Sequence, residues 1–221
     1  LLRKAIEHDK IGSLIFYGPP GAGKTTLAEI IAKTTAAHFV PMSAITAGKS
    51  DIMKVVDEAS EQLYYYEKKT ILFIDEIHRF NKTQQDALLP AVENGIVTFI
   101  GATTENPYFE VNKALLSRAR VYELEPLTTE DIKNILIRAL ENKERGLGNE
   151  PVDYDDESLD ALAILSSGDA RVALNALETV VAVSEPGEDG KIHFSIPDIE
   201  EAIQKKQVRY DKDGDNHYDV I

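Results

Sequence analysis

The sequence predicts an α/β fold, a parallel sheet flanked by helices, followed by a small all-helical domain. A glycine-rich loop between an apolar run and an amphipathic helical pattern indicates a strand, a turn and a helix. A second apolar run, Thr70–Ile74, is typical of a buried parallel strand. Beyond Pro126 the patterns are helical, so we expect domains at residues 1–125 and 126–207 and a linker at residues 208–221.

The composition is that of a globular protein, with 43% hydrophobic and 28% charged residues. The chain has no cysteine, which excludes disulfides, thiolate metal sites and a thiol nucleophile and favours a cytoplasmic setting. No apolar run approaches the roughly 18–20 residues that span a bilayer, so we expect no membrane partner. No signal peptide is recognisable at the start of the sequence.

The formal net charge of −14 is unevenly distributed. Residues 1–120 carry 14 Lys and Arg and 14 Asp and Glu, whereas residues 121–221 carry 10 and 24. The acidic second half is a poor candidate for non-specific adhesion to nucleic acid, because its charge repels phosphates. The neutral first half leaves room for a local basic strip that contacts DNA.

The glycine-rich loop has the spacing of a phosphate-binding loop, G-x-x-x-x-G-K-[ST]. Its glycines let successive backbone N–H groups point at a phosphate, and the predicted helix behind it adds its dipole. In this motif the lysine reaches the β- and γ-phosphates and the hydroxyl binds Mg²⁺. A chance glycine-rich turn is disfavoured by the strand and helix on either side. We therefore predict a nucleotide site at Gly18, Pro19, Pro20, Gly21, Ala22, Gly23, Lys24, Thr25 and Thr26.

Two acids follow the buried run Thr70–Ile74. In a parallel sheet the carboxyl ends of the strands share one edge, so Asp75 and Glu76 are expected near the phosphate loop. Asp75 is predicted to hold Mg²⁺, and Glu76 to polarise the attacking water as general base. On its own, an apolar run before two acids is weak evidence for such a site. Because it stands about fifty residues after a phosphate loop, the evidence here is strong.

Hydroxyl residues end the next predicted strand, residues 95–104. Thr103 or Thr104 at this strand end can hydrogen-bond a γ-phosphate or the attacking water, and the alternative is a threonine that satisfies a turn. The following segment, residues 112–120, is a predicted helix that ends with Arg118 and Arg120. Surface arginines are usually solvated, but an arginine here can also lie at a subunit boundary.

The other elements of the first domain are ordinary. Residues 1–10 are a predicted surface helix. Residues 37–42 are a predicted strand, which Pro41 places near an edge of the sheet because proline donates no ladder hydrogen bond.

A long helix is predicted at residues 50–68, with Ser50 as its N-cap. Its end carries Tyr64, Tyr65 and Tyr66, which invite a base-stacking interpretation. Because they close an amphipathic helix, we expect them to pack in the core or at its rim.

The second domain is predicted to be helical except for a short strand near residues 191–194. Residues 210–219 are rich in aspartate, as calcium loops are. Counted from Asp211, however, an EF-hand would need glycine at position six and glutamate at twelve, and neither is present. We therefore interpret this stretch as a polar linker. The predicted helices are residues 129–145, 156–166, 169–184 and 196–206.

Four stretches together resemble the AAA+ ATPases: GPPGAGKTTLA, FIDEIHRFNKTQQDALLPAVENG, FIGATTENPYFEVNKALLSRARVYEL and GDARVALNALE. Within that class they are similar to the replication-associated recombination protein A family, which includes the Werner-helicase-interacting ATPase. The resemblance covers essentially the whole chain. It implies a P-loop AAA+ core, ATP and Mg²⁺ bound beneath a helical lid, and a DNA-dependent ATPase at stalled or gapped replication forks.

The resemblance also implies roles for single residues. Thr104 falls at the sensor 1 position, with Thr103 as the adjacent alternative. Arg118 falls at the arginine finger that acts in trans in clamp loaders, although Ala119 departs from their Ser-Arg-Cys motif. Arg120 is the competing finger, and Arg171 of the GDAR stretch matches sensor 2.

The resemblance further implies partners: DNA with single-strand/double-strand junctions or gaps, single-stranded-DNA-binding protein, and a homotetramer associated with the nucleoid. The family's N-terminal segment and C-terminal oligomerisation domain are expected to lie outside this sequence. Lys49, His78 and Lys82 are candidate DNA contacts, for which a solvated surface is an equal alternative. A clamp-loader subunit, a branch-migration motor and a nucleotide-gated scaffold that recruits replication proteins remain alternatives.

Overall fold

The computed structural model describes residues 2–8 and 10–203. The predicted linker at 208–221 and the aspartate-rich stretch at 210–219 lie outside these residues. The chain divides between Glu125 and Pro126 into two compact units.

The first unit alternates strands and helices, as the sequence predicts. Its strands are β1 (Ser13–Tyr17), β2 (His38–Ser43), β3 (Thr70–Asp75), β4 (Val97–Thr103) and β5 (Ala119–Glu123). Its helices are α1 (Leu2–Glu7), α2 (Lys24–Thr34), α3 (Lys49–Tyr66), α4 (Lys82–Glu93), α5 (Pro107–Glu110) and α6 (Lys113–Leu116), with a 3₁₀ turn at Ile77–Arg79.

The five strands form one parallel sheet in the order β2-β3-β4-β1-β5. The predicted parallel α/β class is therefore confirmed. Strand β2 lies at an edge, as Pro41 predicts, because the missing N–H of proline costs nothing where no further strand pairs. Strand β4 lies between β1 and β3, so the ends of these three strands are neighbours.

Side chains alternate between the two faces of the sheet, and both faces are buried. Ile15 and Leu72 point to the face covered by α3 and α4, where Leu88 is fully buried. Phe16 and Phe73 point to the opposite face, which α2 covers. Burial on both faces explains why β1 and β3 read as continuous apolar runs.

Three local predictions for the first unit are wrong. The predicted helix at residues 112–120 ends at Leu116, and Ala119–Glu123 pairs with β1 as a fifth strand. The N-cap of α3 is Gly48 rather than Ser50, because the Asp51 carboxylate accepts the Gly48 N–H at 2.7 Å.

The third error concerns the tyrosines at the end of α3. Tyr64, Tyr65 and Tyr66 are 82%, 70% and 69% exposed, so they pack neither in the core nor at its rim in this chain. They contact one another edge-on, with ring centroids 5.0 and 6.5 Å apart.

The second unit is helical: α7 (Thr129–Glu141), α8 (Asp156–Leu165) and α9 (Ala170–Val183), and residues 196–203 are also helical. The predicted strand near 191–194 is reduced to one parallel bridge, Val152 to Ile192. Helix α7 stops at Glu141, four residues early, because the Asn142 side chain accepts two backbone N–H groups and forms a turn. The helices of the second unit bury a hydrophobic core that includes Leu136, Leu159 and Leu177. Within the described residues, no helix has the length and apolarity needed to cross a membrane.

Candidate nucleotide site

The phosphate loop joins β1 to α2 with three glycines at positive φ. Gly18 has φ 151°, and a Cβ there would lie 2.2 Å from the carbonyl oxygen of Leu124. Gly21 and Gly23 have φ 70° and 87°, in the left-handed region that favours glycine. Gly23 is the N-cap of α2, and no side chain caps this helix. The first N–H groups of α2 are therefore left for an anion, as at other phosphate-binding helices.

Lys24 is the first residue of α2 and only 8% exposed. Its ammonium donates to the carbonyl oxygens of Gly18 and Pro19 at 2.7 and 2.8 Å. The Lys24 side chain thus folds back over the phosphate loop, and its ammonium lies beside Gly18 and Pro19, at the start of the loop. Thr25 follows it and is half-buried, while Thr26 is exposed.

The two predicted acids lie at the same edge of the sheet. Asp75 ends β3 and is half-buried, and its carboxylate accepts the N–H of Glu76 at 3.1 Å. Glu76 has φ 55°, a left-handed conformation that is uncommon outside glycine. After this residue the chain enters the 3₁₀ turn Ile77–Arg79.

Thr103 is the last residue of β4 and is completely buried. Its carbonyl oxygen accepts the N–H of Gly18 at 3.2 Å, and its hydroxyl lies 2.9 Å from Nδ1 of His78. The same imidazole nitrogen lies 3.3 Å from a carboxylate oxygen of Glu76. The ends of β1, β3 and β4 are thereby joined by polar contacts at one edge.

Thr104, which the resemblance favours as sensor 1, lies beyond the end of β4 and is exposed. The Thr103 hydroxyl contacts His78, which in turn contacts Glu76. Within the described residues, no such contact is seen for Thr104. The sensor assignment remains a prediction for either residue.

Arg118 lies between α6 and β5. Its guanidinium contacts the Glu93 carboxylate at 2.6 Å and donates to the carbonyl oxygen of Ala114 and the hydroxyl of Ser117. Arg120 is an exposed residue of β5, paired in register with Leu14. Both arginines are exposed, and the choice between them as a finger stays a prediction.

Arg171 belongs to the second unit. It lies in the first turn of α9, and its backbone N–H donates to the N-cap Asp169 at 2.8 Å. Its sensor 2 role also stays a prediction.

The candidate DNA contacts differ in exposure. Lys49 and Lys82 are exposed at the starts of α3 and α4. The His78 side chain is only 10% exposed and is engaged by Thr103. The sequence predicts His78 near this edge of the sheet, but not the burial of its ring or its contact with Thr103. Its one signal is a histidine two positions after the acids that end a buried strand.

Tyr17 ends β1 beside Glu123 of β5. A hydrogen bond to the Glu123 carboxylate, together with partial desolvation, raises the pKa of the Tyr17 phenol above its ordinary value.

Comparison with known families agrees with this geometry. The profile of the ATPase family associated with various cellular activities (AAA) matches residues 14–127, more than half of the chain. A profile of the AAA C-terminal domain matches residues 148–221.

Curated relatives match the whole chain. Replication-associated recombination protein A of Haemophilus influenzae is 52% identical over 221 residues, and that of Escherichia coli K12 is 48% identical over 220. Each match covers 100% of this chain and 49% of the relative, so the chain spans about half the length of these proteins. ATPase WRNIP1 of Dictyostelium discoideum is 40% identical, with 27% of it covered.

Solved structures share the fold. The Holliday junction branch migration motor RuvB of Thermotoga maritima matches with a TM-score of 0.69 and 26% identity, over 92% of this chain and 65% of that chain. The FIGL-1 AAA domain in complex with ADP matches with a TM-score of 0.65 at 17% identity, over 99% of this chain and 85% of that one. The chain therefore belongs to the AAA family of ATPases, in the group of replication-associated recombination protein A and ATPase WRNIP1.

Proposed function

We propose that this chain is the ATP-hydrolysing core of a DNA-dependent ATPase that maintains replication forks and acts in recombination and repair at stalled or gapped forks. The observation that carries the proposal is the meeting of Lys24, Asp75 and Glu76 at one edge of the sheet, in a chain whose relatives are named for replication-associated recombination.

The phosphates of ATP are held by the ammonium of Lys24 and by the N–H groups at the start of α2. Mg²⁺ fits the oxygen donors at this edge, the Thr25 hydroxyl and the Asp75 carboxylate, which are both half-buried. Bound there, the ion would neutralise charge on the β- and γ-phosphates. Glu76 orients the attacking water and accepts its proton.

Arg118 is assigned to a neighbouring copy's site on the resemblance, and Arg171 to the phosphates on the same ground. A finger supplied in trans contributes on the order of 10³–10⁵ in rate. A homo-oligomer, expected to be a tetramer in the full-length protein, then becomes part of the mechanism. Single-stranded-DNA-binding protein and junction DNA are the partners that follow from the fork role.

A branch-migration motor is the second candidate, because RuvB shares this fold at 26% identity. It predicts processive strand displacement coupled to hydrolysis. The identities of 48–52% to replication-associated recombination protein A favour the first candidate.

The test is ATP turnover by this chain, with and without DNA that carries a single-strand/double-strand junction, across a range of protein concentrations. We expect the rate of turnover per chain to rise when DNA is added, because the proposed role depends on DNA. We also expect this rate to rise with protein concentration, because an arginine supplied in trans requires that chains associate. Turnover that is indifferent to DNA and concentration would contradict both roles for this core. A complete lack of hydrolysis would contradict the ATPase itself.

A further inference from the structure

We propose that His78 is a positioning residue for Glu76, and that its imidazole holds the Glu76 carboxylate against the buried end of β4. The proposal rests on the proposed function, in which Glu76 activates the attacking water. It assigns His78 a structural task inside the site instead of a contact with DNA.

The geometry around His78 is compact. His78 lies in the middle of the 3₁₀ turn Ile77–Arg79, which begins directly after Glu76. Its side chain is 10% exposed. Its Nδ1 lies 2.9 Å from the Thr103 hydroxyl and 3.3 Å from the Glu76 carboxylate. One ring nitrogen therefore faces one oxygen from each of two neighbouring strand ends.

The charge of Glu76 favours one tautomer of His78. The Thr103 hydroxyl oxygen accepts the N–H of Glu105 at 3.0 Å, and its own hydrogen has the Glu105 carbonyl oxygen 3.4 Å away. If Nδ1 carries the proton, it can donate to the Thr103 oxygen while its positive hydrogen faces the carboxylate. If Nδ1 carries a lone pair, that lone pair faces the carboxylate and repels it. The Glu76 carboxylate therefore favours the form with Nδ1–H, in which Thr103 accepts, over the form in which the Thr103 hydroxyl donates to Nδ1.

Glu76 needs such an anchor. It follows the buried strand β3 in a left-handed backbone conformation, and a glutamate side chain has three rotatable bonds whose freedom opposes a single position. His78 links it to Thr103, whose carbonyl oxygen accepts the N–H of Gly18 in the phosphate loop. The carboxylate is therefore positioned relative to the loop that holds the phosphates.

The burial of His78 argues against the alternative that it contacts DNA. A side chain with nine-tenths of its surface covered offers its ring to Thr103 and not to a ligand at the surface. Lys49 and Lys82 remain the exposed candidates for that contact.

The first test compares His78→Asn with His78→Leu in ATP turnover. Asparagine and leucine have the same branching and similar size, but only asparagine places an N–H near the position of Nδ1. Misplacing a catalytic group by about 1 Å costs up to about 10²-fold, so we expect His78→Leu to lower kcat by about 10- to 100-fold with the KM for ATP almost unchanged. His78→Asn should recover most of the lost kcat.

Thermal melts of both variants control for folding. Wild-type kcat in His78→Leu would overturn the proposal. Equal loss in both variants at unchanged melting temperature would also overturn it, because it would show that the N–H has no part.

A second test needs no turnover. Long-range ¹⁵N–¹H spectra of histidine-labelled protein report the tautomer of each of the five histidines, and the His78→Asn spectrum identifies the His78 signal. We expect Nδ1–H in the wild type and a changed Nδ1 shift in Glu76→Gln and in Thr103→Val. An Nε2–H tautomer, or an Nδ1 shift that ignores both substitutions, would overturn the positioning role. A wild-type chain without hydrolysis would contradict the proposed function instead, and the spectra would still decide the contact.

Discussion

The helices of the second unit differ at their N-termini from α2, the helix that follows the phosphate loop of the first unit. In the second unit α7, α8 and α9 are each capped by a side chain, Thr128, Asp155 and Asp169 respectively. In the first unit α4, α5 and α6 are also capped by a side chain, that of Asn81, Asn106 and Asn112 respectively, but α2 begins at Gly23 without any side-chain cap. A cap satisfies the first N–H groups of a helix from within the chain, whereas an uncapped start leaves them for a ligand.

The two units also differ in the polar side chains that they bury. Within the described residues the first unit buries five polar side chains, Ser13, Lys24, Thr70, Gln85 and Thr103, whereas the second unit buries only the hydroxyls of Ser158 and Ser166. All of them except the Thr70 hydroxyl have a hydrogen-bond partner. Polar groups in a core are costly unless paired, so a fold keeps them where they are used. Of these groups, Lys24 and Thr103 lie at the proposed nucleotide site, whereas the two buried serines of the second unit donate to backbone carbonyl oxygens of that unit.

The largest effect should come from Glu76→Gln in the first unit. General-base catalysis contributes about 10²–10⁴-fold, so turnover should fall by about that factor while ATP binding persists. Turnover assays and equilibrium titration with a fluorescent ATP analogue measure the two quantities. Glu61→Gln on the exposed face of α3 is the matched control. Turnover retained in Glu76→Gln would show that Glu76 is not the general base.

The next effect compares two glycines of the phosphate loop. Gly18→Ala places a Cβ against the Leu124 carbonyl at positive φ, and should lower the free energy of unfolding by about 2–5 kcal/mol. In Gly23→Ala the added Cβ has no atom within 4 Å, so only the left-handed φ destabilises the variant. We expect the free energy of unfolding to fall by about 1–2 kcal/mol. Urea unfolding without nucleotide measures both. Equal losses would show that the close approach to Leu124 is relaxed in solution.

Acid should act on the caps of the second unit. Hydrogen bonds from Thr128 lower the pKa of Asp131, and hydrogen bonds from Ser158 lower that of Asp155. A carboxyl whose folded pKa is depressed stabilises the fold above its unfolded pKa of about 4, and this stability is lost as the pH falls towards the folded value. Circular dichroism melts at pH 7 and pH 3 should show this decline.

Asp155→Asn provides the control for that decline. Asparagine still accepts the Ser158 N–H but does not titrate, so the variant should lose less stability between pH 7 and pH 3 than the wild type. An identical decline would mean that Asp155 does not contribute to the acid dependence.

The smallest effect should come from Glu93→Gln, which removes the charge that pairs with Arg118 in the first unit. The two side chains are 46% and 37% exposed, and exposed ion pairs contribute about 0–1 kcal/mol. Urea unfolding should therefore change by less than about 1 kcal/mol. A larger loss would mean that this pair is a structural element instead of a surface contact.

Much of this architecture follows from local patterns. The phosphate loop, the buried strands β1 and β3 and the edge position of β2 were predictable because glycine spacing, continuous apolar runs and Pro41 each act within a few residues. Strand β5 was not predictable in this way. Its residues follow a helical turn, and they become a strand only because β1 offers a partner more than a hundred residues earlier in the chain.

The site was predictable in residue type but not in orientation. The sequence indicates Asp75 and Glu76 as acids at a strand end, but the left-handed turn at Glu76 and the burial of Thr103 rather than Thr104 depend on neighbouring strands. The exposed Tyr64–Tyr66 run is a similar case, because an amphipathic pattern does not say how far the core extends along a helix.

The two carbonyl contacts of Lys24 have a practical consequence for genetics. Because this ammonium fastens Gly18 and Pro19, replacing Lys24 by alanine would remove a brace of the loop as well as a charge. A phenotype of that allele would mix misfolding of the loop with loss of ATP, and complementation experiments built on it would be ambiguous. Glu76→Gln leaves the brace intact, and it is therefore the cleaner loss-of-function allele for this chain.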